Sequence, residues 1–282
     1  MRIRLGQNSY GKSRVRLLRV SRTSSSHEIK ELTIAIQLEG DFESAHTIGD
    51  NSKILPTDTM KNTVYVLAKQ YPPEPIEEFS GHLIEHFLTY NPQVTRVAIE
   101  TEEHLWSRIA VGHKAHDSAF MRAPSEKRIS LVTGTRSKVE FAAGIDGLVI
   151  LKSAHAGFEG YIQDPYTTLE ATPDRILATS MRAEWRYASD GITFSSVWHG
   201  VRKVLLETFA EHHSLSLQHT LYAMGEAVLS NFEAIQEIRL SMPNKHYNLV
   251  DLKPFGLQNE NEVFTPTDEP HGLIEATLRR EI

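Results

Sequence analysis

Cysteine is absent from this chain. That excludes disulfides, thiolate metal sites and a cysteine nucleophile, and it fits a reducing cytoplasm. Long apolar runs are also missing: none approaches the ~20 residues that a membrane span needs. The opening residues, MRIRLGQNSYGKS, lack the apolar core of a signal peptide. The closing residues, Arg280-Glu281-Ile282, are not a peroxisomal address of the Ser-Lys-Leu kind. Excess positive charge is missing too. A net charge of -6 and a pI of about 6.2 argue against nucleic acid as the main partner, and the basic residues are dispersed. What is present is 282 residues with 40% hydrophobic content and no recognisable linker. A chain of that size buries roughly three quarters of its unfolded surface, as one large domain or two of ordinary size.

Periodicity organises the chain. Strands are predicted over 12–20 and 27–38, joined by a turn at Thr23 to Ser26. A helix is expected after Pro56, with Thr57 or Asp58 as N-cap and Met60, Val64, Leu67 and Tyr71 at helical spacing. Pro72 and Pro73 stop it. A second helix carries Ile76, Phe79, Leu83 and Phe87 on one face, and Asn91-Pro92 ends it. Strands follow at 94–101, 106–118 and 127–134. The second half repeats the order: strands at 139–151 and 174–187, helices at 194–212 and 216–230, then strands at 235–252 and 262–280. The expected architecture is α+β, with antiparallel sheets carrying helix pairs on one face, in two domains, 1–135 and 136–282. Apolar helix faces and free sheet edges favour oligomerisation.

Several motifs carry chemistry in other contexts. Gly6 to Ser13, GQNSYGKS, matches the phosphate-loop pattern, but only five residues precede it and RVRLLRV after it prefers a strand to the required helix. His82 to His86, HLIEH, matches an inverted zinc-protease pattern. On a helical wheel His86 flanks the core while Glu85 is nearly opposite, so a core-flanking His pair is the better reading, with no metal. His212-His213 falls at a helix end, where a cation favours the dipole. Arg175 in TPDRILAT reads as an ion-pair residue, Phe158 in HAGFEGY as a loop anchor, and Gln218 and Lys12 as solvated side chains.

The stretch SMPNKHYNLVDL is the most suggestive. Ile238, Leu240 and Met242 alternate into it as a half-buried strand. Pro243 removes a backbone donor, so a kink or an edge is expected there. Asn244 and His246 then project from one face, one a neutral hydrogen-bonding group and the other able to change protonation near neutral pH.

Taken together, YGKSRVRLLRV, LPTDTMKNTVYVLAK, GFEGYIQDPYTTLEATPDRILATSMRAEWRY, SLQHTLYAM and PNKHYNLVDL resemble the urate oxidase (uricase) family over nearly the whole chain, in the right order. The resemblance implies two tandem tunnelling-fold (T-fold) domains per chain. It implies a homotetramer whose strands form a barrel with helices outside, and active sites between subunits. It implies oxidation of urate by dioxygen and water to 5-hydroxyisourate and hydrogen peroxide, with no metal and no organic cofactor. By this resemblance Lys12, Thr57 and His246 are catalytic, with Thr57 reaching the site from a neighbouring chain. Asp58, Phe158, Arg175, Leu217, Gln218 and Asn244 bind substrate or dioxygen. Leu217 departs from the Val that better-known members carry, a position where the family contact is mainly backbone. The missing peroxisomal tail points to a bacterial, cytoplasmic member.

These residue types suit that chemistry. Phe158 supplies stacking area for a planar ring. Arg175 can donate two parallel bonds to adjacent acceptors, and Gln218 matches an edge with both a donor and an acceptor. A Lys beside a Thr hydroxyl serves as a base, and His246 extends the relay to water. Two alternatives stay open at this stage. One is another tunnelling-fold enzyme acting on a pterin or purine ring, and the other is a non-catalytic purine-binding barrel.

Overall fold

A computed structural model describes residues 3–188 and 191–281. Met1 and Arg2 of the opening segment and Ile282 of the closing tripeptide lie outside the described residues. The order among these residues is β1 (Tyr10–Arg22), β2 (His27–Gly40), α1 (Glu43–Thr47), α2 (Thr57–Gln70), α3 (Ile76–Tyr90), β3 (Val94–Val111), β4 (Lys114–Gly134), β5 (Val139–Lys152), β6 (Leu177–Tyr187), α4 (Phe194–Glu211), α5 (Leu217–Asn231), β7 (Ile235–Leu249) and β8 (Phe264–Arg279). The class is α+β, as the periodicities predict. The chain folds as two compact units, Met1–Gly144 and Ile145–Ile282, with β5 crossing the division.

In the first unit β1, β2, β3 and β4 pair antiparallel in chain order. Alternate residues of β2, namely Leu32, Ile34, Ile36 and Leu38, are buried. They join Met60 and Val64 of α2 and Phe79, Leu83 and Phe87 of α3 in one apolar cluster. Burying each such side chain contributes about 1.5–3 kcal/mol. In the second unit β6, β7 and β8 pair antiparallel. Met181, Ala183 and Trp185 of β6 and Ile238, Leu240 and Met242 of β7 are buried at the same alternation. Helix α5 packs on β7 and β8 through its apolar stripe of Leu221, Met224 and Val228.

Three local expectations are corrected and one is borne out. The three strands predicted between 94 and 134 are two long ones that turn at Gly112, whose φ of 62° suits glycine. Both apparent breaks meet at one register shift, between the pairs His104↔Lys127 and Trp106↔Arg122. Thr57 is the first residue of α2 rather than its cap; Pro56 holds the cap position without a side-chain bond. As expected, the phosphate-loop match is followed by a strand and not a helix, since Tyr10 to Arg22 is one strand. Pro243 does not break β7, since it pairs with Leu273. Its missing N–H is tolerated because Arg182↔Ser241 and Thr179↔Asn244 hold one register on either side of it.

Candidate active site

The first group of predicted residues lies where β1 meets the start of α2. Lys12 pairs opposite Ile36, and Val15 opposite Ile34, so two residues of β1 face one of β2 between them. This is a β-bulge, and Arg14 within it has φ 58°. Bulges of this kind re-aim side chains and cluster beside functional sites. Gly11 is required just before it, since a Cβ there would meet the Ile36 carbonyl oxygen at 1.8 Å. Thr57 and Asp58 open α2. Asp58 takes bonds from Lys61 and, at 3.1 Å, from Asn62, which accounts for the TDxxKNT pattern as a helix start. Its carboxyl is held below the usual carboxylate range, first by the Lys61 hydrogen bond and charge, with the Lys12 charge contributing. Lys12 and the first turn of α2 are therefore electrostatic neighbours within one chain.

The second group is built on the long loop before β6. Phe158 and Thr172 exchange backbone bonds of 2.8 and 3.1 Å. Arg175 N–H donates to the Ala156 carbonyl at 2.7 Å, and Ala156 N–H donates to Asp174 Oδ1 at 3.0 Å. Gly157 fits this close approach, since a Cβ would sit 2.9 Å from the Pro173 oxygen. These bonds bring the Arg175 guanidinium over the Phe158 ring, 5.4 Å from its centroid. The ring also stacks on Tyr161, at 4.9 Å and 11°. Tyr161 is fixed in turn by a 2.6 Å bond from its hydroxyl to the Leu169 carbonyl.

Arg175 makes no ion pair among the described residues, contrary to the plain reading of its motif. Its Nε is buried without a hydrogen-bond partner. Burial holds the guanidinium below its ordinary pKa. A buried charged donor left unpaired is costly, and it points to an acceptor that arrives with a ligand.

The start of α5 is tied to the same loop, because Gly157 N–H donates to the Ser214 carbonyl at 2.8 Å. Ser216 caps the helix by accepting the His219 N–H at 3.1 Å. That leaves the N–H groups of Leu217 and Gln218 without intrahelical partners, at the positive end of the helix. Leu217 is buried and Gln218 is exposed. Two positions into β6 beyond Leu177, Thr179 pairs opposite Asn244. Its hydroxyl is buried and unpartnered. On the other side of β7, Asn244 pairs with Gly272 and His246 with Thr267, with a register shift between them. Phe158, Arg175, Leu217, Gln218, Asn244 and His246 thus belong to one neighbourhood of the second unit. Lys12, Thr57 and Asp58 belong to the first.

The histidine motifs behave as packing groups. His82 stacks on Tyr71 at 4.2 Å, and His86 meets Tyr90 at 4.7 Å. His212 is no capping cation. Burial, with the nearby charges of His219, Lys152 and His213, disfavours its protonated form. The end of α4 is capped instead by Lys152, which donates to the Phe209 and His212 carbonyls. Sequence reasoning missed Tyr10, Tyr161 and Asp174 as site-building residues. Each lies inside a quoted motif, but its role is a bond to a distant main chain.

Comparison with known proteins is consistent across the whole chain. A family model described as uricase matches residues 8–133 and 141–275. Uricase from Arthrobacter globiformis is 48% identical over 277 residues, covering 98% of this chain and 90% of that protein. Uricase from Oryctolagus cuniculus is 38% identical over 283 residues, covering 98% of this chain and 94% of that one. The crystal structure of the Arthrobacter globiformis uricase superposes with a TM-score of 0.95 at 47% identity, covering 100% of this chain and 96% of that one. With agreement of this extent in both sequence and fold, the chain belongs to the uricase family.

Proposed function

We propose that this chain is a cofactor-independent urate oxidase, converting urate, dioxygen and water to 5-hydroxyisourate and hydrogen peroxide. The observation that carries the reading is the buried, unpartnered Nε of Arg175, whose guanidinium lies over the Phe158 ring, beside the open N-terminus of α5. An aromatic face, a bidentate cation and two free backbone N–H groups suit a planar anion with acceptors along its edge. In this reading Arg175 and Gln218 grip opposite edges of urate, Leu217 and Asp58 offer backbone contacts, and Phe158 stacks on the ring. Asn244 holds dioxygen and then water above it. Lys12 and Thr57 draw a proton from the substrate, and His246 passes protons to water. The substrate supplies the electrons, so neither metal nor organic cofactor takes part.

The same reading covers assembly. The chain is two tandem T-fold domains, 1–135 and 136–282, which assemble as a homotetramer with strands in a barrel. Active sites lie at subunit interfaces, with Thr57, and Lys12 beside it, supplied by a neighbouring chain, in a cytoplasmic enzyme. The division of the candidate residues between two structural units supports this arrangement. The test is to mix the exhaustively chelated protein with urate and follow urate absorbance, oxygen and peroxide. Urate loss with matching oxygen uptake and peroxide formation is expected. Absence of oxygen uptake refutes the oxidase reading. Stoichiometric zinc in the purified protein would instead favour a pterin- or purine-converting enzyme.

A further inference from the structure

We infer that Tyr10 is a positioning residue, whose hydroxyl clamps the Leu55 main chain to β1 and thereby sets Thr57 against Lys12. The inference rests on the relay role proposed above for those two residues.

The clamp is reciprocal. The Tyr10 hydroxyl accepts the Leu55 N–H at 2.8 Å and donates to the Leu55 carbonyl at 3.2 Å, across 45 residues of sequence. Both polar groups of one peptide residue are thus satisfied by a single side chain. Leu55 lies in the loop that leads into α2, where Pro56 brings no N–H of its own. Each reactive side chain sits two residues from the clamp: Lys12 follows Tyr10, and Thr57 follows Leu55. In a strand, residues two apart project from the same face, so Tyr10 and Lys12 are both turned toward α2. Asp58, next to Thr57, feels the Lys12 charge.

The rest of the phenol is held as firmly. Its ring meets Phe42 edge-on at 4.7 Å and 84°, and Phe42 is fully buried. Gly11 seats β1 against the Ile36 carbonyl, so the strand cannot slide under the ring. Burial raises the Tyr10 pKa against the opposing pull of the Leu55 bond, so the hydroxyl keeps its proton and both bonds through neutral pH. A side chain needed for packing alone requires the ring and not the hydroxyl. Here the hydroxyl bridges the two segments that carry the proposed base and its partner.

The experiment compares Tyr10→Phe, Thr57→Ala, the double variant Y10F/T57A, Lys12→Met and Phe42→Leu in the assembled enzyme. Assays run at a temperature where each far-UV spectrum matches the parent. Y10F is expected to lower kcat about 5- to 50-fold while KM for urate changes less than about threefold. The double variant is expected to be no more than about twofold slower than T57A, because a clamp acting through Thr57 has nothing left to position. F42L, which loosens the ring and spares the hydroxyl, is expected to lower the melting temperature and keep kcat. Full turnover by Y10F overturns the inference. So do losses that multiply in the double variant, or an F42L that is as slow as Y10F. If K12M and T57A both keep full turnover, the relay itself is wrong, an outcome distinct from failure of the clamp alone.

Discussion

Replacing Arg175 by Met separates two effects that the fold sets against each other. Without substrate, the Arg175 Nε is buried and unpartnered. Leaving such a donor unmade costs about 1–3 kcal/mol. Its position over Phe158 returns about 0.5–1 kcal/mol as a cation–π contact. A methionine keeps most of the apolar stem and removes both terms. The free protein is then expected to be between unchanged and about 2 kcal/mol more stable, and each kcal/mol moves the melting midpoint by about 2–4 °C in a chain of this size. Binding moves the other way. Two charge-assisted bonds to urate are worth about 1.5–3 kcal/mol each. Losing at least 3 kcal/mol net corresponds to about 100-fold or more in affinity. The assay is KM for urate beside a thermal melt of the same preparation. A variant that melts several degrees lower, with KM within about fivefold of the parent, would show the guanidinium to be a packing residue and refute the substrate-binding reading.

Further outcomes follow from the same geometry. Lys12→Met and Thr57→Ala are each expected to lower turnover more than about tenfold while binding of a purine competitor survives, since neither group grips the ring; equal losses of binding and turnover would contradict the relay assignment. Gly11→Ala places a methyl 1.8 Å from the Ile36 carbonyl oxygen, so soluble yield and melting temperature should both fall sharply; an unaltered melt would mean that β1 shifts freely. Glu77 is fully buried and accepts a bond from Arg128 at 2.7 Å, so Glu77→Ala removes the nearer acidic neighbour of a buried cation, with Glu74 remaining at 3.9 Å, and is expected to cost about 1–3 kcal/mol in denaturant unfolding. The His212 pKa is depressed by burial and by the facing charges of His219, Lys152 and His213. The unfolded chain therefore binds the proton more readily, so stability is complete above the ordinary histidine value of about 6.5 and declines as pH falls below it. Replacing His219, whose Nδ1 lies 3.2 Å from His212 Nε2, should flatten that acid limb of the melting curve; an unchanged slope would assign it to other groups.

The order of elements was legible in the residues because the signals are local. Alternation of two in β2 and spacing of 3.6 in α2 and α3 survive without knowledge of partners. Prolines at 72, 73 and 92 mark ends, because a missing N–H acts wherever it stands. The same local view cut β3 and β4 into three pieces, since a bulge and a chain reversal look alike before the partner strand is known. It broke β7 at Pro243, where neighbouring pairs on β6 and β8 carry the strand through. It also made His212 a cap, although Lys152, 60 residues away, takes the carbonyls. The candidate residues could be named from YGK, TDxxKNT, YTTLEATPDRIL and PNKHY by resemblance. Only the tertiary structure showed the Arg175 Nε buried without a partner, Asp174 tying the loop to Ala156, and Tyr10 bound to Leu55. Sequence determines what each side chain can donate, accept or bury. Whether a donor is satisfied depends on which distant backbone folding delivers to it, and the unsatisfied ones could be counted only after the chain had closed on itself.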